Sequence, residues 1–187
     1  NIECPAQLRE RIAWFAGRGQ MDIAGLGEKV VDQLVDAGLV AHFGDLYGLQ
    51  VSDIQALDGF AQRSAEQLVE AIDASRARGL SRLLAALGIR QVGRSGARTL
   101  ARHFDSMGSL QEASLESLSE LPDFGDITAG LLFDFLASPA GRATIDRLHA
   151  AGVELQSDLY AADGEAGSPL CGKTVVLTGT LKHFQRR

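Results

Sequence analysis

Cysteine is scarce in this chain of 187 residues: Cys4 and Cys171 are the only two, and they lie far apart in the sequence. Two distant thiols argue against a disulfide framework and fit a reducing, cytoplasmic setting. Long apolar runs are missing too. None approaches the roughly 18 residues that a membrane-crossing helix needs, so no membrane partner is expected. The start, NIECPAQLRERIAWF, is polar and charged and does not read as a signal peptide. It has no initiator Met, and the end, VVLTGTLKHFQRR, stops just after a strand-like run. Both ends suggest a piece of a longer protein. The histidines, His42, His103, His149 and His183, are scattered without metal-ligand spacing. There is no Walker-type phosphate loop and no evident nucleophile–base pair, so no catalytic residue is expected. A formal net charge of −6, taken alone, argues mildly against a polyanionic partner.

What is present is a globular composition, 45% hydrophobic, with room for one or two domains and a real core. CPAQLRERIAWFAGRG reads as a short helix with Leu8, Ile12 and Phe15 on one face, stopped by Gly17 or Gly19. Trp14 and Phe15 are expected to pack. From about residue 23 to 136 the pattern is helical with Gly-containing breaks. Ser52 and Ser114 are expected as N-caps, and Gly79 as a helix stop. One more helix is expected over residues 142–151. A polar, small-residue linker occupies 157–168, and KTVVLTGTL reads as a buried strand.

Four stretches align with one another: IAGLGEKVVDQLV from residue 23, LDGFAQRSAEQLV from 57, IRQVGRSGARTLA from 89 and LPDFGDITAGLLF from 121. Their first positions are Ile23, Leu57, Ile89 and Leu121, and their fourth are Leu26, Phe60, Val92 and Phe124. The fifth is Gly27, Ala61, Gly93 and Gly125. Further on, Val31, Ala65, Ala97 and Ala129 precede Leu34, Leu68, Leu100 and Leu132. The spacings are 34, 32 and 32 residues, a register that a mere set of helix connections does not require. The apolar pair would anchor each turn in the core. The fifth-position Gly would permit a left-handed backbone or close approach by a ligand, and Ala61 would tolerate positive φ poorly. The small residues would let the two helices of each unit pack closely. Each following helix opens with unpartnered N–H groups and a partial positive charge, which makes it a candidate anion site.

Charge separates the units. Arg90, Arg94, Arg98 and Arg102 recur every four residues in a stretch, 89–104, with no Asp or Glu. That local charge of +4 in an acidic chain fits a phosphate backbone. Arg90 and Arg94 flank the turn most closely, while Arg102 lies far along the helix. Unit one offers Lys29 beside Glu28 and Asp32, and unit two offers Arg63. Unit four carries Asp123 and Asp126, which oppose phosphate, so it is expected to bind weakly or serve as structure.

The repeated turn resembles the helix-hairpin-helix motif, which holds DNA phosphates through hairpin amides regardless of sequence. Four tandem copies resemble that domain of bacterial NAD-dependent DNA ligases. CPAQLRERIAWFAGRGQMDIAGLGEKVVDQLVDAGLV is similar to the junction after that family's zinc finger, LLAALGIRQVG to its third hairpin, and PLCGKTVVLTGTL to the opening of its BRCT domain. The resemblance implies a mainly α fold: the end of a zinc finger with a connecting helix (1–22), four hairpin units (23–156), a linker (157–168) and the start of an α/β BRCT domain (169–187). It implies DNA contacts at Gly25, Gly27, Lys29, Gly59, Arg63, Arg90, Gly93, Arg94, Arg98 and Gly125, and makes Cys4 one zinc ligand of four, the others lying upstream. Cys4 alone is a free thiol, and Cys171 a small apolar residue. Thr178-Gly179 reads as a strand-ending turn, although related BRCT domains use such a position for phosphate.

The family seals nicks through a lysine in a K-x-D-G motif that takes AMP from NAD. Lys29, Lys173 and Lys182 are followed by VV, TV and HF, so none fits, and this chain should bind no cofactor itself. NAD, magnesium and zinc belong to the expected parent protein. The expected partner is double-stranded DNA, nicked duplex above all, held by a monomer. Two other readings stay open: a tandem-hairpin module of another DNA-repair protein, and a protein-interaction scaffold.

Overall fold

Ile12 and Phe15, one turn apart on the first helix, are fully buried, and the Phe15 ring stacks on Phe43 with centroids 4.6 Å apart. That buried stripe packs the first helix onto the core. The structure, a computed structural model, describes residues 5–160, with nothing said of the side chains of residues 5 and 6. The expected strand, the BRCT start, Cys4, Cys171, Thr178-Gly179 and His183 lie outside the described residues.

The described residues form α1 (Pro5–Ala16), α2 (Glu28–Asp36), a 3₁₀ helix (Phe43–Gly48), α3 (Val51–Gln55), α4 (Gln62–Ser75), α5 (Leu80–Ala86), α6 (Arg94–His103), α7 (Met107–Gln111), α8 (Leu115–Ser119), α9 (Asp126–Ala137) and α10 (Pro139–Ala150). The fold is mainly α, as expected. Among the described residues the only β pairing is an isolated bridge between Ser106 and Gln156. Four helix pairs pack as hairpins: α1 with α2, α3 with α4, α5 with α6, and α8 with α9.

The repeat register is the packing register. Leu34, Leu68, Leu100 and Leu132 are buried, each removing an apolar side chain from water at a gain of about 1.5–3 kcal/mol. Val31, Ala65, Ala97 and Ala129 sit beside them with essentially no exposure. Small residues there let the second helix of each hairpin approach the first. Ile23, Leu57, Ile89, Leu26, Val92 and Phe124 are buried beneath the turns, and Phe60 and Leu121 are half-buried against the same core.

Hairpin one is the irregular unit, because residues 17–22 intervene between α1 and its turn. Two arginines near the start of α5 hold that loop. Arg78 donates to the Asp22 carbonyl at 3.2 Å and pairs with the Asp22 carboxylate at 3.3 Å, and Arg82 donates to the carbonyls of Arg18 and Gln20 at 3.2 and 2.8 Å. The segment after α10 ties the units together. Glu154 N–H donates to the Arg76 carbonyl, Met107 N–H to the Leu155 carbonyl, and Ser157 N–H to the Asp105 carbonyl.

Three local expectations change. The N-cap of α3 is Gln50, whose N–H donates to the Asp53 carboxylate at 2.9 Å, and Ser52 lies inside the helix. The competing signal was Asp53, which bonds back to the helix start. Gly79 takes φ 83° as the cap that begins α5, because α4 already ends at Ser75. Trp14 is 53% exposed, its indole N–H donating to the Ala85 carbonyl at 3.1 Å, whereas Phe15 packs as expected.

Candidate nucleic-acid interface

Each hairpin turn is closed by the same hydrogen bond. The fourth-position N–H donates to the first-position carbonyl: Leu26 to Ile23, Phe60 to Leu57, Val92 to Ile89 and Phe124 to Leu121, at 3.0 to 3.4 Å. The third position lies in the left-handed region in all four, with φ 86° at Gly25, 84° at Gly59, 63° at Gln91 and 66° at Asp123. This is the type II pattern, which demands a positive φ at its third residue.

The fifth position therefore does something other than expected. Gly27, Ala61, Gly93 and Gly125 are N-caps in extended conformation, with φ between −101° and −83°. Ala61 is unstrained there, and the left-handed demand falls two residues earlier. A Cβ added at Gly27, Gly93 or Gly125 would meet nothing within 4 Å. Neither backbone nor internal packing requires glycine at these caps. What its absence of side chain provides is open surface over the helix start.

In α2 the Val30 and Val31 N–H groups both donate to the Gly27 carbonyl at 3.0 Å, whereas the start of α6 is more open. In α6 the first bond runs from Ala97 N–H to the Gly93 carbonyl at 2.9 Å, so Arg94, Ser95 and Gly96 N–H have no partner among the described residues. No side chain caps α2, α6 or α9, and in α4 Ser64 Oγ bonds only the N–H and carbonyl of Ala61. Of the helices that follow no hairpin turn, α3 and α5 also lack a side-chain cap, but α7, α8 and α10 have one. Ser106, Ser114 and Ser138 hydroxyls each accept a first-turn N–H of α7, α8 and α10, at 3.0 to 3.2 Å.

Some basic side chains are spent in ion pairs, while among the described residues the exposed Arg18, Arg142 and Arg147, away from the turns, are in none. Arg9 pairs with Asp32 and Asp36, Arg76 with Asp73, and Arg78 with Asp22. Lys29, Arg63, Arg90, Arg94, Arg98 and Arg102 are exposed, and among the described residues none is in an ion pair. Arg90 stands at the second position of turn three, and Arg94 opens α6 with its stem over Gly19. Arg98 is one turn on, and Arg102 lies in the last turn. Lys29 and Arg63 occupy the second helical position of α2 and α4. Arg9 offsets Asp32, so Glu28 is the acidic group left at hairpin one. At hairpin four Asp123 and Asp126 are exposed, and Ile127 is 78% exposed.

Beside turn three a cleft of about 760 Å³ is lined by residues that include Glu10, Arg11, Trp14, Phe43, Gln91, Val92 and Gly93. Among the described residues no three His, Cys, Asp or Glu side chains are placed to hold a metal.

Four type II turns feeding four helix starts, none with a side chain capping its first amides, define a tandem helix-hairpin-helix architecture. The family profile described as helix-hairpin-helix motif matches residues 82–145, which hold hairpins three and four. Over its whole length the chain is similar to DNA ligases: 44% identical over 187 residues to that of Pelotomaculum thermopropionicum, 42% over 186 to that of Thermomicrobium roseum, and 42% over 188 to that of Syntrophomonas wolfei. All of this chain is covered, but only 27–28% of each relative, so the chain spans about a quarter of the length of the curated relatives it matches. The likeness to DNA ligases expected from the motifs is borne out.

Proposed function

We propose that this chain grips double-stranded DNA, regardless of sequence, as the hairpin segment of an NAD-dependent DNA ligase that seals nicks. The observation that carries the reading is at hairpin three, where three free amides at the start of α6 lie under a bare Gly93, flanked by the unpaired Arg90, Arg94 and Arg98. A phosphodiester oxygen accepts such amides and favours the positive helix end. The guanidinium groups neutralise neighbouring phosphates and release counterions. Nothing in that contact touches a base edge, so it positions without specifying.

The segment contributes no reactive group. Its part is to hold both sides of a nick in place while the chemistry proceeds elsewhere in the parent protein, where NAD and magnesium act. Positioning of this kind can supply much of a rate enhancement. Zinc belongs to the same parent, with Cys4 as one of four thiolates. A monomer in the reducing cytoplasm completes the reading.

Fluorescence anisotropy with labelled nicked and intact duplexes across a salt series tests it. Affinity should fall steeply and linearly with log salt, with tighter binding to the nicked duplex. A shallow slope, or no binding even at low salt for a chain carrying the upstream domains, would return the scaffold reading.

A further inference from the structure

The two ends of the Gln33 side-chain amide grasp both backbone groups of one residue in a different hairpin. Gln33 lies on α2. Its Oε1 accepts the Asp58 N–H at 2.6 Å, and its Nε2 donates to the Asp58 carbonyl at 3.3 Å. Asp58 is the second residue of turn two, directly before Gly59 with its left-handed φ of 84°. The contact is returned from the other side. Leu68 of α4 lies against turn one, its Cδ1 3.6 Å from where a Cβ on Gly25 would stand. Each second helix thus braces the other hairpin's turn.

Hairpins three and four are joined without such a bond. The residue equivalent to Gln33 is Thr99, and the one equivalent to Asp58 is Pro122, which has no N–H to offer. There the Phe124 ring packs against Gly96, 3.3 Å from a Cβ built on it. The polar clamp is a feature of the first pair. A side chain bonded to both backbone groups of a turn residue fixes that turn in position and orientation, which an apolar contact leaves free to slide.

We infer that Gln33 is a positioning residue that locks turns one and two into a single two-point grip, so that the phosphate held at Lys29 and the phosphate held at Arg63 are engaged together. The inference rests on the DNA-gripping reading above. It makes the two hairpins thermodynamically coupled, so that the value of Arg63 depends on Gln33.

The test is a double-mutant cycle in the full chain with intact duplex. In the parent chain Arg63→Ala should lower the log–log salt slope by about one. In a Gln33→Ala background it should change affinity and slope little, because turn two is no longer held in register. Gln33→Glu, which keeps the shape but sets a carboxylate oxygen against the Asp58 carbonyl, should behave the same way. In both variants the Asp58 amide should lose protection from hydrogen exchange while the buried amides of α4 keep theirs, which separates a slipped turn from an unfolded hairpin. An Arg63→Ala effect that is full-sized in the Gln33 variants, or absent in the parent chain, overturns the inference. If Arg90→Ala with Arg94→Ala also leaves the parent's affinity unchanged, it is the DNA-gripping reading that has failed.

Discussion

Hairpins three and four share a backbone almost residue for residue. Both close the turn with the same hydrogen bond, both place a non-glycine residue in the left-handed third position, and both start the second helix from a bare, extended glycine. Their side chains diverge. Turn three carries Arg90 and Arg94, and turn four carries Pro122, Asp123 and Asp126 with Ile127 protruding. An acidic residue at the first helical position already satisfies the helix dipole. An incoming phosphate would have to displace that favourable field. The free amides are therefore common property of the repeat, and the residues around them decide whether an anion is welcome.

The largest effects should fall where the two hairpins are alike. Leu100→Ala and Leu132→Ala empty equivalent buried positions, and each should cost about 2–5 kcal/mol in urea unfolding. A cost confined to one of them would mean that the hairpins do not share one core. Next comes the contrast itself. Arg90→Ala with Arg94→Ala should lower the salt slope of duplex binding by about two. Asp123→Asn with Asp126→Asn should leave binding equal or tighter, and weaker binding would show hairpin four to be a contact of a different kind.

The glycines sharpen the comparison further. Gly59→Ala forces a side chain into φ 84° and should cost about 1–2 kcal/mol. Gly93→Ala meets no atom within 4 Å at an ordinary φ, so its stability should change by under about 0.5 kcal/mol, yet DNA affinity should drop as the methyl covers the amides. Equal loss of stability in both would undo the assignment of open surface. Gln91→Gly relieves a left-handed Gln and should stabilise by up to about 1 kcal/mol, more than Asp123→Gly, because Asp tolerates that region better.

The smallest effect is acidic. The Ser109 and Ser106 hydroxyls hold the Asp105 carboxyl below the usual carboxylate range. In hairpin four Glu116 is held down by its own backbone N–H and by Ser114. A lowered folded-state pKa adds stability above the unfolded value, near 4, which is lost as the pH falls through the folded value. Asp105→Asn should flatten that acid limb slightly in a urea titration series, and an unchanged profile would mean that the two serines do not hold the charge.

Much of the fold was legible in the sequence because a repeat writes its core at fixed spacing. The buried leucines, the small residues beside them and the apolar pair under each turn all stand where the alignment put them. So does the Arg row, because helical spacing places Arg94, Arg98 and Arg102 on one helix without tertiary help. The left-handed position was not legible, since glycine fills it only at Gly25 and Gly59, and Gln91 and Asp123 fill it in the other two turns. The fifth position looked like the constrained one only because glycine recurs there. Trp14 looked like core beside Phe15, and its half-exposed place depends on where Ala85, seventy-one residues away, presents a carbonyl.

By itself the sequence determined four hairpins, their buried seams and which turn is basic, because helix period and residue size act over a few neighbouring positions. Tertiary structure alone decided that Arg9 is spent on Asp32 and Asp36, that Arg78 is spent on Asp22, and that Gln33 reaches turn two. Those outcomes depend on groups brought together from distant parts of the chain, and a hydrogen bond or ion pair forms only where packing sets both partners within about 3 Å in the right orientation.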